Sequence, residues 1–170
     1  FRSPWLQQIL NGVEHANFFE ARATEYSKAA TKGEWHGGEG VWYFRDVVYF
    51  STKGTNQIWA LDVKHAKLSV LYDKATSDQP VLSGVDNITV SASGDVLVAE
   101  DGGDLEVCAI LPDGTVKELL QVKGHDESEI TGPAFDPSGT RLYFSSQRGP
   151  LGQGGGGVTF EVQGPFHRPA

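Results

Sequence analysis

From about residue 34 onward, short apolar runs alternate with turn residues in a repeating order. The clearest case is the stretch 84–103. Residues 88–90 (Ile-Thr-Val) and 96–99 (Val-Leu-Val-Ala) are β-branched or apolar, which predicts two strands. Ser93-Gly94-Asp95 lies between them, and Gly accepts positive φ in a tight turn. The same unit occurs at 38–51 and at 130–145. A third strand is expected each time, at 58–62, 107–111 and 158–162, and a fourth at 68–72 and 116–120. The second strands begin at Val48, Val96 and Leu142. Four strands per repeat of roughly 40–50 residues is the pattern of a β-propeller blade. The expected fold is therefore all-β, with about three four-stranded blades, half of a six-bladed propeller. A short helical segment is expected before them.

The boundaries follow from the same pattern. Residues 1–33 form a lead-in rich in Ala and Glu, with a helix expected over 12–29. Blades are expected over 34–80, 81–123 and 124–166, with a tail over 167–170. Three blades do not close a ring of four to eight, and an open arc is expected to expose two apolar blade faces. The glycines at 152, 154 and 157 match G-x-G-x-x-G formally. A strand rather than a helix is expected after them, so a dinucleotide fingerprint is excluded.

Composition narrows the chemistry. The chain has 170 residues and a net charge of −8. No basic patch is visible, which argues against nucleic acid as a partner. The lone Cys108 allows no intrachain disulfide and sits in an apolar strand, where it reads as a small buried hydrophobe. No apolar run approaches the roughly 20 residues that span a bilayer.

Oxygen-bearing side chains gather at the strand ends. Glu39 stands nine positions before Val48 and Asn87 nine before Val96, so the two read as equivalent, with Asp86 beside them. In the third repeat that position is Pro133, and the nearest carboxylate is Glu129. Glu100 and Asp101 end a second strand, aligned with Thr52-Lys53 and Ser146-Gln147. First strands of propeller blades line the central channel, so these groups are expected to face it. Converging carboxylates repel one another and need cations. All-oxygen ligation points to a hard ion, calcium first and magnesium second. His125, next to Asp126, is a candidate ligand or acid–base group, and Arg148 a candidate binder of an anionic substrate.

The segments that carry these residues resemble a known family. Glu39-Gly40-Val41-Trp42-Tyr43, Asp86-Asn87-Ile88-Thr89-Val90-Ser91 and Ala99-Glu100-Asp101-Gly102 resemble the PhoX-type alkaline phosphatases. So do the run 128–135 and Leu142-Tyr143-Phe144-Ser145-Ser146-Gln147-Arg148-Gly149. The resemblance covers about residues 34–166. It implies a six-bladed propeller, exported by the twin-arginine route to the periplasm or beyond, that hydrolyses phosphomonoesters with calcium together with iron. By the same resemblance Glu39 and Glu129 are metal ligands. Asp86, Asn87, Glu100 and Asp101 are ligands or support them, and Arg148 lies on the phosphate side. His36 stands where the family usually has Arg. The family's N-terminal half, which brings a cysteine and further ligands, is not matched, and Cys108 is not at that motif. A second copy or that missing half is expected to close the ring. The expected function is a calcium-dependent phosphomonoesterase or the C-terminal half of one. The alternatives are a noncatalytic, calcium-stabilised binding propeller and a lactonase-like hydrolase of the gluconolactonase kind.

Overall fold

A computed structural model of the protein describes residues 37–153 and 155–166. The expected helix over 12–29 and the tail lie outside the described residues. Among these residues, eleven strands form three antiparallel sheets. The first holds β1 (Gly38–Phe44), β2 (Val47–Thr52), β3 (Gln57–Asp62) and β4 (Lys67–Asp73) in chain order. The second holds β5 (Val85–Val90), β6 (Val96–Glu100), β7 (Glu106–Ile110) and β8 (Val116–Gln121), again in chain order. The third holds β9 (Ile130–Phe135), β10 (Arg141–Ser146) and β11 (Val158–Gln163). These are successive propeller blades, with β1, β5 and β9 side by side as their innermost strands. A fourth strand is present in the first two sheets, where the sequence places one, and the third sheet has three strands among the described residues.

The middle blade shows why the strands form here. All of β6 and β7 is buried. Strand alternation sends Val96, Val98, Cys108 and Ile110 to one face, against Ile58, Tyr72 and Leu82. It sends Leu97, Ala99, Val107 and Ala109 to the other face, against Leu142, Phe144 and Ile130. Each fully buried Val, Ile or Leu contributes roughly 1.5–3 kcal/mol, so these two apolar layers outweigh any single polar contact between blades.

The outer faces differ from the expectation of two apolar ones. On the first blade Val41, Tyr43 and Val70 are indeed exposed. The outer face of the third blade is polar: Tyr143 Oη donates to Glu161 at 2.6 Å, Arg141 lies 3.7 Å from Glu161, and Ser145 and Thr159 share a hydrogen bond of 2.9 Å. Alternation explains the result. Leu142, Phe144, Phe160 and Val162 all turn inward, and the residues between them are charged or hydroxylic.

Each innermost strand carries a bulge near its start. Pairing shifts by one residue between Gly38 and Val41, between Val85 and Ile88, and along β9 between the partners of Tyr143 and Ser145. Gly38 pairs with Thr52 and Val85 with Glu100. Glu39 is therefore equivalent to Asp86, not to Asn87 as the unbulged alignment gives, and its counterpart in the third blade is Thr131. One glycine is needed for the blades to approach here. A Cβ on Gly40 would stand 2.6 Å from the Ile88 nitrogen and 2.7 Å from the Asp86 carbonyl oxygen.

Candidate metal centre

The same backbone bond recurs at the inner end of every blade. The amide of Lys53 donates to Gly37, that of Asp101 to Gly84 and that of Gln147 to Glu129, at 2.8–2.9 Å. Lys53, Asp101 and Gln147 are thus equivalent positions, as are Gly37, Gly84 and Glu129. The acidic groups come from different rungs of this frame: Glu39 and Asp86 from one, Glu129 from the next, Asp101 from the strand opposite. Asp101 also forms an isolated antiparallel bridge with Glu129.

These rungs bring three carboxylates together. One oxygen each of Asp86, Asp101 and Glu129 lies within 4.8 Å of the others. Asp86 is buried and the other two half-buried. Burial pushes the Asp86 carboxyl above the usual carboxylate range, the charge of Glu39 adds to this, and Lys53 opposes it. Two cations face the group. Lys53 Nζ donates to Asp101 Oδ2 and lies 3.6 Å from Asp86 Oδ2. Arg148 Nη2 donates to Glu129 Oε2 at 3.3 Å, and Nη1 donates to the Glu127 carbonyl.

Other polar groups fix this constellation. Asn87 Nδ2 donates to Asp86 Oδ1. Its Oδ1 accepts from Thr131 Oγ1 at 2.9 Å and from the Gly132 amide at 2.7 Å, tying the second blade to the third. Ser51 Oγ accepts from the Gly40 amide at 2.8 Å and donates to the Asp86 carbonyl at 2.5 Å, tying the first blade to the second.

The sequence-derived candidates divide accordingly. Asp86, Asp101 and Glu129 converge, Glu39 is close enough to act on Asp86, and Arg148 adjoins Glu129. Asn87 spends its amide on positioning. Glu100 points elsewhere: it is fully buried, and its two oxygens accept from the amides of Ser83 at 2.6 Å and Glu106 at 3.1 Å. Burial pushes its pKa up to about 7 against the pull of those two bonds. His125 does not touch the carboxylates. Its Nδ1 shares a 2.7 Å hydrogen bond with Ser146 Oγ, and its ring packs on Phe160. Ser146 Oγ donates to Ser128 Oγ, which accepts from the Arg148 amide, so His125 reaches the site through a hydroxyl chain. Lys53 was not among the candidates. Its alignment with Asp101 is the signal that the sequence carries, although a lysine is not a metal-ligand type. A cleft of 320 Å³ opens at the opposite end of the strands, beside Phe44, Arg45 and Gly94; no carboxylate lines it.

The donor set suits a hard cation. Calcium takes oxygen ligands at about 2.3–2.6 Å, so two oxygens on one ion stand at most about 5 Å apart. The spacing of Asp86, Asp101 and Glu129 meets that limit. The buried Cys108 belongs to another environment: its thiol is pushed far up by burial and contacts Glu106 Oε2 at 3.8 Å.

Comparison with known proteins bears on the fold and the family. The family model described as alkaline phosphatase PhoX matches residues 41–149. Among solved structures, a streptogramin B lyase is similar with a TM-score of 0.52 and 21% identity, over 76% of this chain and 41% of that one. A luciferin-regenerating enzyme is similar with a TM-score of 0.53 and 16% identity, over 75% of this chain and 42% of that one. These likenesses concern the fold. The chain spans about two fifths of the length of both structures. A stretch of 32 residues is 50% identical to the probable ribonucleoside-diphosphate reductase small subunit 048L of Invertebrate iridescent virus 3, covering 19% of this chain and 8% of that protein.

Proposed function

The chain belongs to the alkaline phosphatase PhoX family, whose model matches from within β1 of the first blade to just past β10 of the third. We propose that it is a metal-dependent phosphomonoester hydrolase, or contributes the C-terminal half of one, with calcium as its first-choice ion. The carrying observation is the convergence of Asp86, Asp101 and Glu129 within 4.8 Å, with the Arg148 guanidinium on Glu129. In this reading those three carboxylates hold the cation, and Glu39 adds negative charge beside Asp86. A bound divalent ion would neutralise a phosphate ester and polarise its phosphorus–oxygen bonds. Arg148 offers planar donors to the phosphoryl oxygens, and Ser128 holds its backbone in place. The bulges and the Asn87 and Ser51 bridges keep the carboxylates at this spacing.

The same reading includes three further points. The oxygen-only donor set favours calcium, and metal analysis of purified protein separates calcium alone from calcium with iron. Family membership supports a periplasmic or secreted location; no helix among the described residues is long and apolar enough to cross a membrane. Ring closure needs further blades, from a second copy or an N-terminal half.

Hydrolysis of p-nitrophenyl phosphate with added calcium and with chelator tests the proposal. Turnover that chelator abolishes and calcium restores is expected. Absence of turnover under every metal condition overturns catalysis by this chain and leaves a calcium-stabilised binding propeller. Turnover indifferent to chelator overturns the role of the metal.

A further inference from the structure

Among the described residues, Lys53 is the one cation that contacts two of the converging carboxylates. It approaches from a different blade. Its backbone amide is bonded to Gly37, and a 3₁₀ turn over Lys53–Thr55 follows it. Asn56 then sits in the left-handed region (φ 51°), and its Oδ1 accepts from the Val85 amide at 3.4 Å. The turn is therefore pinned to the start of β5, the strand that carries Asp86. From that base the lysine side chain, one-third exposed, reaches Asp101 and Asp86, which are 20% and 11% exposed. Arg148, the other cation here, pairs with Glu129 instead. Oxygen separations of this size leave room for one central charge. An ammonium donating to Asp101 and a divalent ion ligated by Asp86 and Asp101 would repel each other at a few ångströms, where partial burial weakens solvent screening.

We propose that Lys53 is a built-in counter-cation for this centre: it neutralises Asp86 and Asp101 from the neighbouring blade, and a divalent ion must displace it to bind. The inference rests on the cation site assigned above and adds a residue that sets its affinity. Two consequences follow with opposite signs. Without the ammonium, the carboxylates repel and the cation-free protein loses stability. The same loss removes the competitor, so the divalent ion binds more tightly. A residue that merely shaped the loop would weaken both.

Calcium titration by calorimetry, with thermal unfolding in chelator, tests this on wild type, Lys53→Met, Lys53→Arg and Asp101→Asn. Lys53→Met is expected to bind calcium tighter by about tenfold or more and to melt at a lower temperature in chelator. Lys53→Arg is expected to stay near wild type in both readouts. Asp101→Asn is expected to lose binding. Binding in wild type that needs Asp101 but is unchanged or weaker in Lys53→Met overturns the counter-cation and leaves the site standing. Binding by neither wild type nor Lys53→Met, or binding that ignores Asp101, overturns both.

Discussion

Two acid triads of equal size meet in the sequence at the adjacent residues Glu100 and Asp101 of the second blade. Asp86, Asp101 and Glu129 bring three carboxylates within 4.8 Å, and so do Glu100, Asp104 and Glu106. The first draws on the second and third blades and is faced by Lys53 and Arg148. The second comes from one strand end and its loop, and among the described residues no ion pair reaches it. Its member Glu100 bonds two separate pieces of backbone, Ser83 in the connector before β5 and Glu106 at the start of β7, and burial pushes both Glu100 and Glu106 up. One triad faces ions, and the other replaces missing backbone partners. Clustering alone does not separate them. What separates them is where the oxygens' hydrogen bonds already go.

Breaking each triad at adjacent residues gives the largest contrast. Glu100→Ala strands the buried Glu106 amide and the half-buried Ser83 amide, and an unpaired buried group costs roughly 1–3 kcal/mol, so a loss of about 2–4 kcal/mol in urea unfolding is expected. Asp101→Asn removes only a partly exposed ion pair, worth roughly 0–1 kcal/mol, yet removes a cation ligand. Equal destabilisation by the two substitutions would erase the distinction between the triads.

The next effect concerns how the blades hold the first triad in place. Gly40→Ala puts a methyl group 2.6 Å from the Ile88 nitrogen and 2.7 Å from the Asp86 carbonyl oxygen. Both obstacles are backbone, so the strands must separate. Overpacking of this kind costs roughly 1–3 kcal/mol. Because β5 carries Asp86, calcium affinity is expected to fall together with stability. Unfolding in urea and calcium calorimetry on one preparation measure both, and a loss of about 1–3 kcal/mol with unchanged affinity would detach Asp86 from the triad.

The contrast was only partly legible in the sequence. The blades were, because the second blade is apolar on both faces and its period of two repeats in its neighbours. The pairing of Glu39 with Asp86 was not, because bulges insert a residue without leaving a mark in an ungapped count. Glu100 and Asp101 read as a pair because they adjoin. Strand alternation places Glu100 with Val96 and Val98, on the face packed against the first blade. Asp101 lies past the strand's end, bridged to Glu129. Lys53 escaped because ligand chemistry selects acids, whereas the position aligned with Asp101 needed a charge of the opposite sign.

The smallest effect probes the closed side of the second blade, where Glu100 lies. Tyr72 Oη donates to the Leu82 carbonyl at 2.8 Å. Burial pushes its pKa up to about 12 from the usual 10, and the charges of Cys108 and Glu100 add to this. Between those values the unfolded chain has released the phenolic proton and the folded chain has kept it. Tyr72 therefore stabilises fully below pH 10, and that contribution is lost as pH rises through 12. Tyr72→Phe is expected to cost about 1 kcal/mol near neutrality and to flatten the decline of stability over that alkaline window. The buried Cys108 thiol acts with the same sign from a lower starting pH, so both proteins should carry Cys108→Ala. An unchanged alkaline slope would mean that water reaches Tyr72, and the side of the blade that holds Glu100 would then be as open as the side that holds Asp101.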